Sequence, residues 1–473
     1  MKVKFLSENS ERSLKNKIRF VAASAKLSHF NGTLSELYNA SQNHEENLKV
    51  IGRITRSGHK SILEHHYINL ELSEVTPIVE QTLIGFRLPS FTIKSRRYVD
   101  FRKVGYYIPE FKNIDGSLHM ENELLKKKYR RHMNYLFKFY SEMVDGGIIK
   151  EDARFILPYS FYSEIAMSVN AREFEKMINY LLYGEVSKIQ ELHDLGEAFF
   201  EIAKQHVPEI VEYIENYHPR LSSYDYHQVL DTYKVSTKVL KKPVLIDYTA
   251  DADDVILETA VMGETQCNYD EAGRIITEAE LEDPDFRAKY MDAIVKKQEN
   301  RELEQVTFTW QLPISLSILT HLTRQRMHSL ITPNFVPLWD FQNYIIPDSI
   351  KNSEFLDKYQ RVIEKNMIIM SEFKNAGVVE EDLVYFYLGC QMCNVITTIN
   401  GRELMWLSRL RGCNRAQWQI RQITNYMIEE TRKVAPLLGR GLGPTCRVLR
   451  YCPEGKLSCG LIKEILAEEK KKE

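Results

Sequence analysis

The sequence predicts an α+β fold made of two diverged copies of one domain, a mixed sheet with long helices repeated once along the chain. Three observations predict it: helical periodicity over most of the length, short strand-like pieces set between the helices, and an internal repeat. With 473 residues the chain exceeds one typical hydrophobic core, so two units of a little over about 200 residues each are the natural division.

Taken in order, "HYINLELSEV" (66 to 75) alternates apolar and polar residues as a half-buried strand does. Residues 120 to 145 and 172 to 205 carry apolar residues at spacings of three and four among charges, the helical pattern. "VLKKPVLIDYTADADD" (239 to 254), after a Tyr-rich stretch, marks the place where one unit ends and another begins. "VTFTWQLPISLSIL" (306 to 319) is rich in β-branched residues and reads as a strand, and 354 to 376 and 402 to 434 return to helical periodicity. The expected domains are therefore residues 1–235 and 240–473.

The repeat is the sharpest of the three signals. An offset of 230 positions lays "GGIIKEDARFILPYSFYSEIAMSVNARE" (146 to 173) over "AGVVEEDLVYFYLGCQMCNVITTINGRE" (376 to 403) without a gap. Gly147, Glu151, Asp152, Asn170, Arg172 and Glu173 recur as Gly377, Glu381, Asp382, Asn400, Arg402 and Glu403. Arg87-Leu-Pro-Ser90 answers Arg326-Met-His-Ser329, Tyr107-Ile-Pro109 answers Ile345-Ile-Pro347, and Leu63-Glu64 answers Leu303-Glu304.

Composition narrows the function classes. A formal charge of −2 leaves no whole-molecule attraction for nucleic acid or anionic membranes, so any basic site must be local. No uncharged apolar run approaches roughly 18 residues, and the start MKVKFLSENSERSLKNK lacks a signal-peptide core, so a cytoplasmic protein with no membrane contact is expected. All seven cysteines fall in the second half, an odd count that does not suit a secreted disulfide framework.

Five stretches hold residues suited to chemistry. "GHKSILEHH" has His59, Ser61, Glu64 and His65, with no zincin spacing; polar positions at the start of a strand, or a cofactor pocket lined by His59, Ser61 and Glu64, suit it better than a metal. "GFRLPSFTIKSRRY" places Arg87, Ser90, Ser95 and Arg97 in a loop; arginine with serine and open backbone N–H groups is what phosphate recognition needs, although on spacing alone a solvated turn is the simpler reading. In "HLTRQRMHSL", after an apolar segment, His321, Arg324, Gln325 and Arg326 bring together arginines that are costly to bury unless they meet an anion. "NGRELMWLSRLRGCNRAQWQIR" carries Asn400, Arg402, Arg409 and Arg411 on a helical hairpin, where an exposed basic helix is the simpler reading. Cys446-x5-Cys452-x6-Cys459, with Cys413 as a fourth thiol, resembles a zinc set but lacks a CxxC knuckle, and Cys390-x2-Cys393 falls in an expected helix as core packing, so no metal is expected.

Together these motifs resemble the flavin-dependent thymidylate synthase (X-type) family. That family shows His-x-Ser/Thr-x-x-Glu-His, then Arg-His-Arg, seven residues, Ser and Gly-Arg-Tyr, then Ala-Arg-x-x-Leu-Pro, Asn-x-Arg-(Ser/Glu)-Leu and Ala-Gln-Trp-Glu-Ile. Copy one matches with His59-Lys-Ser61-Ile-Leu-Glu64-His65, Arg87 to Ser95, Arg97-Tyr98 and Ala153-Arg154-Phe-Ile-Leu157-Pro158. Copy two matches with Arg324-Gln-Arg326, Asn400-Gly-Arg402-Glu-Leu404 and Ala416-Gln417-Trp418-Gln-Ile420. The copies depart from the pattern in complementary places: copy one has Gly85-Phe86-Arg87 for Arg-His-Arg and Leu181 for a later arginine, whereas copy two has Gln325, Asn334, Val336 and Val384 where the family has His, Ser, Arg and Arg.

The resemblance implies flavin-dependent methylation of dUMP to dTMP with methylenetetrahydrofolate and NADPH, at composite sites formed by both copies. A one-carbon transfer or reduction on another pyrimidine nucleotide, or a non-catalytic nucleotide- or flavin-binding homologue, is the alternative. It further implies Arg411 as the catalytic residue, Ser95, Arg97, Arg154, Arg324 and His321 as nucleotide ligands, and FAD held by His59, Ser61, Glu64, Arg87, Arg324, Gln325, Arg326, Asn400 and Arg402. The family being tetrameric, a homodimer mimicking a tetramer is implied. Trp406 stands where the family often has His or Asn, close to the expected flavin.

Overall fold

The computed structural model describes residues 1–6, 11–216, 238–336 and 342–469. It contains two four-stranded antiparallel sheets with the same strand order, β1(Lys2–Phe5)-β2(Tyr67–Val75)-β4(Ser163–Asn170)-β3(Ser90–Ile93) and β5(Val244–Tyr248)-β6(Thr307–Ser315)-β8(Met392–Asn400)-β7(His328–Ile331). Three helices separate β1 from β2 (Glu11–Leu27, Leu34–Ala40, His44–Arg56), and three separate β5 from β6 (Ala252–Thr265, Tyr269–Glu282, Phe286–Lys296). Each copy then has a short helix before its edge strand (Pro77–Ile84; Leu316–Thr323), a long helix (Asn122–Asp145; Leu356–Asn375), and a helix pair after its last strand (Ala171–Tyr183 and Gln190–His206; Gly401–Arg411 and Trp418–Val434). Among the described residues no helix is long and apolar enough to cross a membrane.

The repeated residues recur because each answers a local requirement. Gly147 and Gly377 both take positive φ, 88° and 92°, the left-handed turn after a helix that glycine enters without a Cβ penalty. Asn170 and Asn400 cap the next helix, accepting the N–H of Glu173 at 2.9 Å and of Glu403 at 2.8 Å.

Three expectations are corrected. The helix over 172–205 is two helices, broken at Gly184, where a Cβ would lie 2.5 Å from the Tyr180 carbonyl. The strand over 306–319 ends at Ser315, which stands at the N-cap of Leu316–Thr323. Cys390 and Cys393 lie before and within β8 rather than in a helix, both buried.

Compact packing divides the chain unequally: Met1–Thr237, Phe335–Phe341 and Ile346–Gly389 form one unit, and Lys238–Asn334, Gln342–Ile345 and Cys390–Glu473 the other. The long helix of copy two therefore belongs to the unit built around copy one. There it runs antiparallel to Asn122–Asp145: Lys128 pairs with Glu372, His132 Nε2 donates to Asn366 Oδ1 at 2.8 Å, and Lys358 pairs with Glu142. Phe111, Tyr129, Phe373 and Phe386 make an edge-to-face cluster with centroids 5.0 to 5.6 Å apart.

The contacts in this unit are those of a local two-fold axis. Tyr159 N–H donates to Tyr387 O at 2.7 Å and Gly389 N–H to Leu157 O at 3.1 Å; under the offset of 230, residues 157 and 159 are the counterparts of 387 and 389. Asp382 accepts from the Lys112 N–H at 2.8 Å, and its counterpart Asp152 from Ser349 Oγ at 2.6 Å. An isologous contact has this reciprocity, each surface patch meeting its own equivalent.

Asn366 is the buried hub of the helix pair, because its Nδ2 also donates to Phe386 O at 2.8 Å. Burial lowers the His132 pKa to about 4, so the ring is neutral near pH 7. Asn366→Ala strands the carbonyl and the imidazole together and is expected to cost about 2 to 4 kcal/mol. A shift in urea midpoint no larger than that of the exposed Glu364→Ala, about 0.5 kcal/mol, contradicts this role.

Candidate functional site

In the unit that contains copy one, the stretch Ser95-Arg96-Arg97-Tyr98 leaves β3 in a tight turn. Ser95 Oγ accepts the Arg97 N–H at 3.3 Å and Ser95 O accepts the Val99 N–H at 3.0 Å, so the serine shapes the loop. The two arginines then part company. Arg96 is buried, donates to Glu80 Oε2 at 2.8 Å across a carboxylate that is itself fully buried, and lies over the Phe161 ring. Removing either member of such a pair costs about 3 to 5 kcal/mol because the other charge is left buried. Arg97 is part-exposed and pairs with Glu151.

Glu151 ties the loop to a third guanidinium. It belongs to the turn Lys150–Ala153, and its backbone carbonyl accepts from Arg154 Nε at 3.1 Å. Arg154 is only 3% exposed, and its Nη2 has no hydrogen-bond partner. Burial first, then the neighbouring Arg96 charge, lowers its pKa to about 9. Three guanidiniums thus stand close to three carboxylates, Glu80, Glu151 and the buried Asp152. An anion reaching Arg154 gains a charge-assisted hydrogen bond and relieves the burial cost.

Copy two has the same local backbone without this charge. Glu380–Leu383 and Val384–Phe386 repeat the turn and the 3-10 segment of Lys150–Ala153 and Arg154–Ile156. Val384 occupies the Arg154 position and is fully buried among apolar neighbours.

The other expected site residues fall in two groups. His59, Ser61 and Arg87 are exposed, His59 at the cap of the 3-10 turn Lys60–His65 and Arg87 between Pro77–Ile84 and β3. In the second unit Arg324 and Arg326 are exposed in the corresponding turn before β7, with Gln325 buried between them and His321 half-buried on the preceding helix. Both arginines follow a helix whose Leu316, Ile318, Leu319 and Leu322 are buried, and they stand in the surface turn that ends it. Glu64 pairs with Arg172 at 2.5 Å, and Arg402 pairs with Glu304 at 2.7 Å and Glu299 at 2.9 Å. Asn400 spends its Oδ1 on the helix cap. Arg411 is the last residue of Gly401–Arg411, half-buried, and Trp406 is 47% exposed on the same helix.

Sequence reasoning missed Glu80, Glu151 and Glu299 as partners of these arginines. Glu80 had a signal, a lone acid inside the apolar run "PIVEQTLI"; Glu151 had another, its recurrence as Glu381. Nothing in the spacing marked Glu299.

A further buried acid belongs to the scaffold. Glu191 accepts from Thr76 N–H and Oγ at 3.0 and 2.6 Å and from Tyr385 Oη at 3.1 Å. Burial raises its pKa to about 7. In copy two the equivalent second residue of the helix is Gln419, whose Oε1 accepts from Ser315 Oγ at 2.5 Å. An amide thus stands in copy two where copy one has the carboxyl.

The profile of the family described as Thymidylate synthase complementing protein matches residues 10–209 and again residues 244–437. The chain is 30% identical over 244 residues to the flavin-dependent thymidylate synthase of Clostridium tetani (strain Massachusetts / E88), covering 47% of this chain and 95% of that protein. It is 33% identical over 181 residues to the flavin-dependent thymidylate synthase of Pyrococcus furiosus, covering 36% of this chain and 74% of that protein. Among solved structures it is similar to the UMP/dUMP methylase PolB from Streptomyces cacaoi bound with 5-Br dUMP, at 20% identity and a TM-score of 0.37, over 46% of this chain and 95% of that one.

Glu191 makes a pH prediction. Below pH 4.5 its carboxyl is protonated folded and unfolded; as pH rises to about 7 only the unfolded chain ionises, so its contribution to stability is lost across that window. Glu191→Gln removes the titration, and its stability relative to wild type should rise by roughly 3 kcal/mol between pH 4.5 and pH 7.5. A difference in denaturation midpoint that stays constant over that range contradicts it.

Proposed function

Since the chain belongs to the flavin-dependent thymidylate synthase family in both of its halves, we propose that it methylates dUMP to dTMP, taking the one-carbon unit from methylenetetrahydrofolate and reducing equivalents from NADPH. The observation that carries the reading is Arg154: a buried guanidinium with a vacant donor, beside Arg97 and a serine-shaped loop, suits the phosphate and sugar of a nucleotide. Ser95, Arg97 and Arg154 bind that end of the substrate. Arg97 exchanges Glu151 for the phosphate, or shares itself between them. Arg411, with His321 and Arg324, serves the pyrimidine end. A guanidinium at the uracil oxygens stabilises the negative charge that develops as C5 becomes nucleophilic.

FAD is the cofactor of this reading. The donor set suits a dinucleotide pyrophosphate: His59, Ser61 and Arg87 are exposed in copy one, and Arg324 and Arg326 in copy two. Gln325, Asn400, Arg402 and Glu64 are the remaining flavin-side residues, with Glu64, Asn400 and Arg402 ordering the site through the ion pairs and the cap described above. When bound, FAD would supply the hydride for the methyl group, and the protein's part is to bind, orient and polarise.

The two copies contribute unlike halves of a composite site. Copy one keeps Ser95, Arg97 and Arg154; copy two keeps Arg324 and Arg411 and has Asn334, Val336 and Val384 at the positions of the first set. A homodimer with the functional content of a tetramer follows, and the reciprocal contacts at Tyr159 and Gly389 support a fused ancestral interface.

dTMP formation by the purified, flavin-loaded protein from dUMP, methylenetetrahydrofolate and NADPH tests the reading directly; binding of dUMP without turnover would overturn it. Arg97→Ala should weaken dUMP binding by about 1.5 to 3 kcal/mol, roughly 10- to 150-fold in Kd, measured by calorimetry; unchanged affinity would place the phosphate elsewhere. Arg411→Ala should abolish turnover while the purified protein keeps its flavin absorbance, and wild-type rates in that variant would remove Arg411 from the chemistry.

A further inference from the structure

The family match ends at residue 437, and beyond Gly443 the chain has almost no core. From Pro444 to Glu464 no residue is buried, and the regular structure is one four-residue helical turn, Thr445–Val448, and a 3-10 turn, Gly455–Leu457, before the helix Ile462–Glu469 begins. A segment with so little apolar burial needs another source of order, and small coreless segments usually find it in disulfides or a metal.

Three of the seven cysteines lie here, and the structure brings a fourth to them. The connection after Gly401–Arg411 carries Cys413. Its neighbour Asn414 donates through Nδ2 to Cys459 Sγ at 3.9 Å, and Arg415 donates to the carbonyls of Leu457 and Ser458. Cys452 Sγ lies 3.5 Å from Ser458 Oγ, one residue before Cys459. Pro444, two residues before Cys446, packs on the same connection: a Cβ on Gly412 would lie 3.5 Å from its Cδ. Gly443 N–H donates to Ser408 Oγ at 3.0 Å one turn earlier. None of the four is in a disulfide.

We propose that Cys413, Cys446, Cys452 and Cys459 are the ligands of a structural tetrathiolate zinc site that pins the segment after residue 443 to the helical hairpin of copy two. Four sulfur ligands select zinc among common divalent ions, and a complete set of four leaves no open position, so the role is structural. Binding displaces four thiol protons and leaves the cluster with two negative charges, beside the cationic Arg415, Arg447 and Arg450 of the same segments. Outer donors to the sulfurs already stand in place: the Arg415 N–H to Cys413 Sγ at 3.5 Å, and Asn414 to Cys459. The four sulfurs do not form a closed cage here. Among the described residues only His193, Asp194 and Glu197 bring three ligand atoms within 4.8 Å of one another, so metal binding includes a closing movement of these half-buried and exposed loops. The sequence expectation of no metal rested on the missing CxxC knuckle; the proposal rests instead on the contacts of Asn414 and Arg415 with Leu457, Ser458 and Cys459. The site also holds the chain two residues beyond Arg411.

The test is metal analysis of the full-length protein purified under reducing conditions. About one zinc per chain is expected. Four of the seven thiols should stay unreactive toward a thiol reagent until a chelator is added. Cys446→Ser and Cys459→Ser should each lower the zinc content several-fold, while Cys267→Ser retains it. Should the serine variants fail to fold, Co2+ added to the metal-free wild type should give thiolate charge-transfer and tetrahedral d–d bands. A wild type that holds no zinc and takes up Co2+ without those bands, disulfides found among the four cysteines, or full zinc content in Cys446→Ser would each overturn the assignment.

Discussion

The reciprocal exchange in which Tyr159 donates to Tyr387 and Gly389 to Leu157 is the contact on which the rest depends. It joins equivalent points of the two copies, and the antiparallel helices Asn122–Asp145 and Leu356–Asn375 extend the same local axis with His132, Asn366 and an aromatic cluster. Buried backbone donors and acceptors in such a place must be matched, so the segments Leu157–Tyr159 and Tyr387–Gly389 constrain each other. A helix from the second copy therefore completes the core of the unit built on the first. The covalent link makes permanent what two separate chains would have to achieve by association.

Fusion removes the requirement that both halves of a symmetric contact be alike. Around the constrained backbone the two copies have diverged where charge matters. Arg154 and Val384 sit at the same point of the same turn, one a buried cation, the other an apolar core residue. A buried arginine is expensive unless something meets it, so a position without an anion to bind gains stability by becoming valine. In the proposed composite site, Asn334, Val336 and Val384 stand where copy two would lack the anion-binding set, and Leu181 where copy one would lack the later arginine. Glu191 and Gln419 show the same freedom at a position where only a cap is needed.

Much of this was legible in the sequence because it rests on local chemistry. Gly147 and Gly377 announce a left-handed turn, Asn170 and Asn400 a helix cap, and the helical periods follow from amphipathic faces that must be covered. The break at Gly184 was missed because the apolar period continues through it, and the end of β6 at Ser315 because the following helix is as apolar as the strand. Spacing could not say that Arg96 pairs with Glu80 while Arg97 pairs with Glu151, since both arginines are adjacent in the chain and only burial separates them. Nor could it say that Ile346–Gly389 packs with copy one, because a tandem repeat has the same pattern whichever copy supplies the partner. Spacing could group Cys413 with the three later thiols but could not show that Asn414 and Arg415 contact Leu457, Ser458 and Cys459.

The central claim is a division of labour, in which two copies make one nucleotide site. The number of dUMP molecules bound per chain measures it, by calorimetric titration of the flavin-loaded protein at known concentration. One nucleotide per 473-residue chain is the predicted result; two per chain, one for each copy, would contradict it.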